Sequence, residues 1–326
     1  MALIMTEFSA PSAGPGAIDD VLRQELAHGD AQISSIASIL RHLLANDEHS
    51  VFGDEVIARV RGMLADVARQ LLDALAVARG ESDERNHSGA EVDALVTALA
   101  GIAGLLPHVH ALALEWQLTE RLQARLALDP VVSPLMQALI ASNDPPTAAA
   151  AMALLAQQAR FAQNQRRMQL PLTELPGDLF HGALITLQNH SHNDPAVQPA
   201  VDQAVAVIRK SFDESRNRLG LISRLVAGMG GGASAALSIP HAGTAIFLSA
   251  LAMASGHDRD LAVLSTNENQ VARFALALRA AGLKPQSIDE QFAALHPEVT
   301  LPGGFENLGS DRAAALLAHS SAYSGS

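Results

Sequence analysis

The sequence predicts an all-α protein: an irregular multi-helix bundle, or an α-solenoid-like stack of short helical pairs, with about a dozen helices. Three observations carry that prediction. Hydrophobic residues make up 48% of the chain but aromatic residues only 3%. The apolar mass is therefore Ala and Leu, which are strong helix formers, while the aromatic strand formers are scarce. Apolar positions recur at helical spacing, and no run alternates as a strand would. Pro, Gly and Asn-Asp steps punctuate the periodic runs at helix-sized intervals.

Each element follows from its own stretch. Residues 1–17 contain Pro11, Pro15 and small residues and read as a flexible N-terminal arm. Asp19 and Asp20 suit a helix start, and Ile33, Ile36, Leu40, Leu43 and Leu44 share one face. Gly29-Asp30 is expected to split this segment. In Glu55–Ala78, Val56, Val60, Met63, Leu64, Val67, Leu71 and Leu75 form a stripe, with Arg59, Arg61, Asp66, Arg69 and Asp73 opposite. The two segments read as a helical hairpin over 18–78. A charged loop follows at 79–90.

A central subdomain, 91–190, is expected to hold helices over 91–105, 108–128, 131–142, 147–168 and 178–189. Pro107, Asp129-Pro130 and Asn143–Pro146 break them, and Thr147 stands where a cap belongs. Residues 170–178 read as an extended link. The C-terminal subdomain, 199–295, begins with one long helix over 199–227. Shorter helices follow near 242–255, 258–264 and 267–281, with Gly256 and Gly282 as C-terminal caps. The tail 296–326 is rich in Pro and Gly, with a short helix at 311–319.

Charge and composition exclude several functions. The formal net charge is −12, and no basic stripe offers phosphates a track, so a nucleic-acid partner is not expected. There is no cysteine, which removes disulfides, thiolate catalysis and Cys-based zinc sites. The N-terminal stretch lacks the basic and apolar regions of a secretory signal. No window reaches the ~18 consecutive apolar residues of a membrane span. Membrane insertion is not expected, and a cytoplasmic location is.

One stretch resembles a ligand loop. Residues 228–234 read GMGGGAS, and Gly228, Gly230, Gly231, Gly232 and Ser234 are its candidate phosphate-binding residues. A Walker loop needs a lysine directly after its last glycine, and none follows before Lys284. The run resembles the phosphate loop of small-molecule kinases of the galactokinase–homoserine kinase type. However, Ala233 stands where those kinases carry a hydroxyl, and the strand they place before the loop is missing. A structural hinge where helices approach closely is the preferred reading.

Histidines supply the other candidates. His190, His192 and Asp194, with His181, would make a metal site if their loop folded back. The stretch LITLQNHSHNDP resembles the metal motif of amidohydrolases or metallo-β-lactamases, but its apolar spacing is helical rather than extended. The pair His108/His110 reads as a polar first helical turn. His42, off the apolar stripe of the first hairpin, has the placement of a phosphorelay histidine, although Leu43 follows it where an acid is usual. The paired acids show no metal-binding spacing. No cofactor is expected.

Residues 242–283 carry a further resemblance. Phe247, Leu248, Leu251, Ala252, Gly256, Val263, Leu264, Arg273, Leu278, Ala281, Gly282 and Leu283 follow a pattern of paired short helices. The stretch resembles the C-terminal part of an uncharacterised, mainly alphaproteobacterial helical family, domain of unknown function 2336. The resemblance implies a solenoid-like stack and supplies no catalytic residues.

The resulting expectation is a non-enzymatic, cytoplasmic helical interaction or regulatory scaffold whose partner is another protein or a second copy as a homodimer. The alternatives are an enzyme using the His190/His192/Asp194 loop or the Gly228–Ser234 loop, or a phosphorelay component using His42.

Overall fold

Helices dominate because Ala- and Leu-rich runs bury their apolar stripes against one another, not against a sheet. The computed structural model describes residues 15–45, 54–81, 87–191 and 196–320, and among them there are fourteen α-helices and no strand. They are α1 Pro15–Ala45, α2 Asp54–Ala78, α3 Gly89–Leu99, α4 Leu105–Leu126, α5 Pro134–Ile140, α6 Pro145–Arg166 and α7 Gly177–His190. Then come α8 Gln198–Ser211, α9 Arg218–Gly228, α10 Ile239–Ser255, α11 Arg259–Ser265, α12 Val271–Ala280, α13 Pro285–Leu295 and α14 Ser310–Ala318. The protein is an all-α, multi-helix bundle.

Two apolar cores form. The first gathers α2, α3, α7 and α8. Within α2, Val60, Met63, Leu64, Val67 and Leu71 are fully buried along the stripe read from the sequence. Burying each such side chain contributes about 1.5–3 kcal/mol relative to exposure. The second core gathers α5 and α9–α14 around α10. Residues Ala245–Ala252 of α10 are buried on every side, as expected of a helix apolar all round.

Three helices belong to both cores. Helix α4 gives Leu105, Leu106, Val109 and Trp116 to the first, and Ala111, Leu118 and Leu122 to the second. Helix α6 gives Phe161 and Ala162 to the first and Ala151 and Leu154 to the second. Helix α1 places Leu40 in the first and Leu22 and Leu26 in the second.

Several expectations fail for identifiable reasons. Helix α1 runs unbroken through Gly29-Asp30. Gln270 approaches closely there: an added Cβ would lie 2.5 Å from Gln270 Oε1, and Gln270 Nε2 donates to the Gly29 carbonyl at 3.0 Å. Asp30 accepts from Arg273 Nη2 and from Ser320 Oγ at 2.7 Å, and Arg273 Nη1 donates to Ser320 Oγ at 3.0 Å. This buried clasp joins α1, α12 and the end of α14. Asp19 lies beyond the first turn and accepts from Arg312 of α14 instead of capping α1.

Arg59 is buried, not solvent-facing. It pairs with Glu55 at 2.7 Å and donates to the Gln165 carbonyl. Asp144, not Thr147, caps α6, accepting from Thr147 N at 3.1 Å, with Pro145 and Pro146 in the first turn. Pro107 lies inside the first turn of α4, which starts at Leu105.

The expected long helix over 199–227 is two helices. Phe212 leaves α8 in extended geometry and stacks on Phe180, with ring centroids 3.9 Å apart. Asp213 then caps a 3-10 turn, and Asn217 starts α9 by accepting from Gly220 N at 2.8 Å. Helix α13 and the 3-10 segment Gly230–Leu237 occupy stretches where no helix was expected.

No single helix among the described residues is long and apolar enough to cross a membrane. Gly230–Leu237 and α10 have the composition only together, and they meet at 109°.

Candidate functional site

The site is built on α6 and α9. The buried face of α6 carries Ala151, Leu154, Gln158, Phe161, Ala162 and Gln165. That leaves Ala149, Ala153, Ala156 and Arg160, spaced i, i+4, i+7, i+11, on one exposed face. Helix α9 packs alongside. It turns Leu221, Ile222, Leu225 and Val226 inward and leaves Arg224 and Gly228 outside.

A groove of about 950 Å³ runs beside these helices, with the methyl groups of Ala149, Ala153 and Ala156 on its α6 side. Leu139, Ala150, Leu221, Leu225 and Met229 complete its apolar floor. The groove follows α6 from Pro146 to Arg160, roughly 21 Å at 1.5 Å per residue.

Charge is concentrated on the rim. Arg160, Arg216 and Arg224 line the groove, and no Asp or Glu does among the described residues. Gln157 Nε2 reaches the Arg216 carbonyl at 3.4 Å, so Arg160 and Arg216 mark the same end. Arg224 Nη2 donates to the Ser215 carbonyl at 3.1 Å, which fixes its direction. None of the three has a carboxylate within ion-pair distance among the described residues.

The cationic end stands over a buried ionic network. Arg218, at the start of α9, binds Glu115 of α4 through both terminal nitrogens, at 2.7 and 3.1 Å. Arg259 Nη2 reaches the same carboxylate at 2.9 Å, and its Nε donates to Ser249 Oγ at 2.8 Å. The Arg218 guanidinium lies 3.6 Å above the Phe161 ring centre, a cation–π contact with α6. Burial works to raise the Glu115 carboxyl, but Arg218 and Arg259 override it and hold it down at about 2. Glu174 differs: burial raises its carboxyl above the usual range, against the pull of Arg218 and Arg160. The network therefore fixes the start of α9, and with it the rim, against α4 and α6.

No family model, curated protein or solved structure matches the chain.

Among the described residues, those singled out from the sequence do not assemble elsewhere. His181 and His190 both lie on α7, exposed and nine residues apart, which puts them on opposite faces and about 13 Å apart along the axis. His192 and Asp194 lie outside the described residues. No group of three or more His, Asp or Glu among the described residues would hold a metal. His42 is exposed in the last turn of α1. His108 is not a polar first-turn residue: it is buried, with Nδ1 2.8 Å from Asp260 Oδ2.

The glycine run turns the chain but packs against nothing. Gly230 adopts φ +51°, and the 3-10 segment it opens includes Gly231, Gly232 and Ser234. A Cβ on Gly228, Gly230, Gly231 or Gly232 would meet open space, so the expected close approach of helices is absent. Gly228 instead lines the end of the groove away from Arg160.

Sequence reading missed the groove. Its one visible signal was the Ala149–Ala153–Ala156–Arg160 spacing, which looks like ordinary helix-forming composition until its neighbours are known. Glu115 had a clearer signal, as an acid inside the apolar run ALALEWQL.

Proposed function

We propose that the protein is a non-enzymatic interaction or scaffold protein of the cytoplasm, and that it receives a helix of a partner protein in the α6–α9 groove. The groove itself carries this reading: it is long, half-open and floored by apolar groups, alanines on the α6 side and leucines and Met229 beside them. Small-molecule sites of 300–1,000 Å³ normally enclose most of their ligand, whereas an amphipathic helix is recognised by laying one face into an open apolar groove. The absence of cysteine supports a reducing compartment. The likeness of residues 242–283 to a helical family without known catalytic residues supports a scaffold.

Site-specific photo-crosslinking tests the reading. A photoreactive residue at Ala153, in cells that express the chain, should give discrete adducts that one at the exposed Val77 does not. Equal labelling at the two positions, or none at Ala153, would reject the groove as the interface.

A further inference from the structure

Resting on that reading, we infer that the occupant is an amphipathic helix with an acidic end, seated with its carboxylates against Arg160, Arg216 and Arg224. The argument is one of charge and shape together. The chain carries a formal net charge of −12, yet this groove gathers three guanidiniums and no carboxylate among its lining residues. Glu174 pulls on Arg160 but lies outside ion-pair distance, so the rim keeps an excess of positive charge that favours an anionic partner.

The floor sets the other half of the chemistry. Alanines at 149, 153 and 156 let an incoming helix axis approach to about 8 Å, the close limit of helix packing. Such a floor is filled by large side chains from the occupant, such as Leu, Met or Phe at i, i+3, i+4 and i+7. The length of the groove admits about four helical turns. The apolar part of the occupant belongs on Leu139, Ala149, Ala150 and Met229, and its acidic part at the arginines.

The test uses the full chain and stapled helical peptides of about four turns that share one Leu/Met face. One peptide ends in a glutamate cluster, one in glutamines and one in lysines. Fluorescence anisotropy should show the glutamate peptide binding roughly fivefold or more tighter than the glutamine peptide, with the lysine peptide weakest. Arg160→Gln/Arg216→Gln/Arg224→Gln should erase that ranking, and all three substitutions are at exposed positions. Ala153→Trp should weaken all the peptides by filling the floor.

Equal binding of the glutamate and glutamine peptides, still blocked by Ala153→Trp, would overturn the acidic specificity and leave the groove reading standing. Binding that ignores Ala153→Trp would overturn both. Two further results would overturn the inference by naming another occupant. One is dodecanoate displacing the glutamate peptide. The other is self-association of the chain in sedimentation that Ala153→Trp abolishes. No binding by any peptide also overturns it, with the crosslinking at Ala153 deciding the groove separately.

Discussion

Arg218 holds Glu115 with both terminal guanidinium nitrogens, and both side chains are only 1% exposed. A paired buried charge is tolerated because each member satisfies the other, whereas a widowed one is not. Arg259 shares this carboxylate, so Glu115→Leu strands two cations at once and should destabilise the fold by about 3–5 kcal/mol. The triple variant Glu115→Leu/Arg218→Met/Arg259→Met, which removes the whole triad, should recover much of that loss. Urea unfolding of the single and triple variants measures it, and strictly additive losses would contradict a coupled network.

The buried histidines set the acid response. Burial, aided by Arg273, pushes the His257 imidazole down to about 4 from an ordinary 6.5. The unfolded chain takes up a proton between those values and the folded chain does not. Stability should thus be level above about pH 6.5 and fall as the pH drops toward 4, by at most about 1.4 kcal/mol per pH unit for this group. Burial lowers His110 and His296 as well, so they act in the same direction. Glu115 adds a later loss, from its ordinary 4.5 toward about 2. His257→Asn should flatten the upper part of this curve in thermal melts. Unchanged steepness would show that His257 is not the proton acceptor.

Gly29→Ala sets helix propensity against packing. In an open helix the change would add about 1 kcal/mol of stability. Here the new methyl displaces the Gln270 amide, which donates to the Gly29 carbonyl and accepts from Arg273 Nε at 3.2 Å. A net loss of about 1–2 kcal/mol is expected from the broken bonds. The size of that loss, measured with and without Gln270→Ala, should shrink or reverse in the Gln270→Ala background.

The glycine run should respond unevenly. Gly230→Ala places an L-residue at φ +51° and should cost about 1 kcal/mol. Gly231→Ala and Gly232→Ala meet open space and should be neutral or stabilising by up to about 1 kcal/mol. Chemical denaturation of the three variants separates these cases. Equal losses at all three positions would mean that the run is packed against something.

Periodicity reads a helix well when one face is buried along its whole length. The α2 stripe from Val60 to Leu75 and the α7 positions Leu179, Phe180, Ala183, Leu184 and Leu187 are buried as their spacing requires, while Val56 is only half-buried. It reads poorly where the deciding contact is distant. Nothing local says that Gly29 serves Gln270, or that Phe212 leaves its helix for Phe180. The groove was hidden for the same reason. An alanine stripe on α6 is good helix composition, and its exposure depends on where α9 lies. Histidine spacing suggested chemistry, but α7 turns His181 and His190 to opposite faces.

The Asp30–Arg273–Ser320 clasp has a consequence for synthesis. Asp30 meets Arg273 across 243 residues and Ser320 across 290. On a ribosome that adds residues at about 5–20 per second, roughly 10 s or more separate the appearance of Asp30 from that of its arginine. Through that interval the nascent first helix has its acid but not the cation or the hydroxyl that bury it. Its final docking is a late event, completed only after Ser320 has been made.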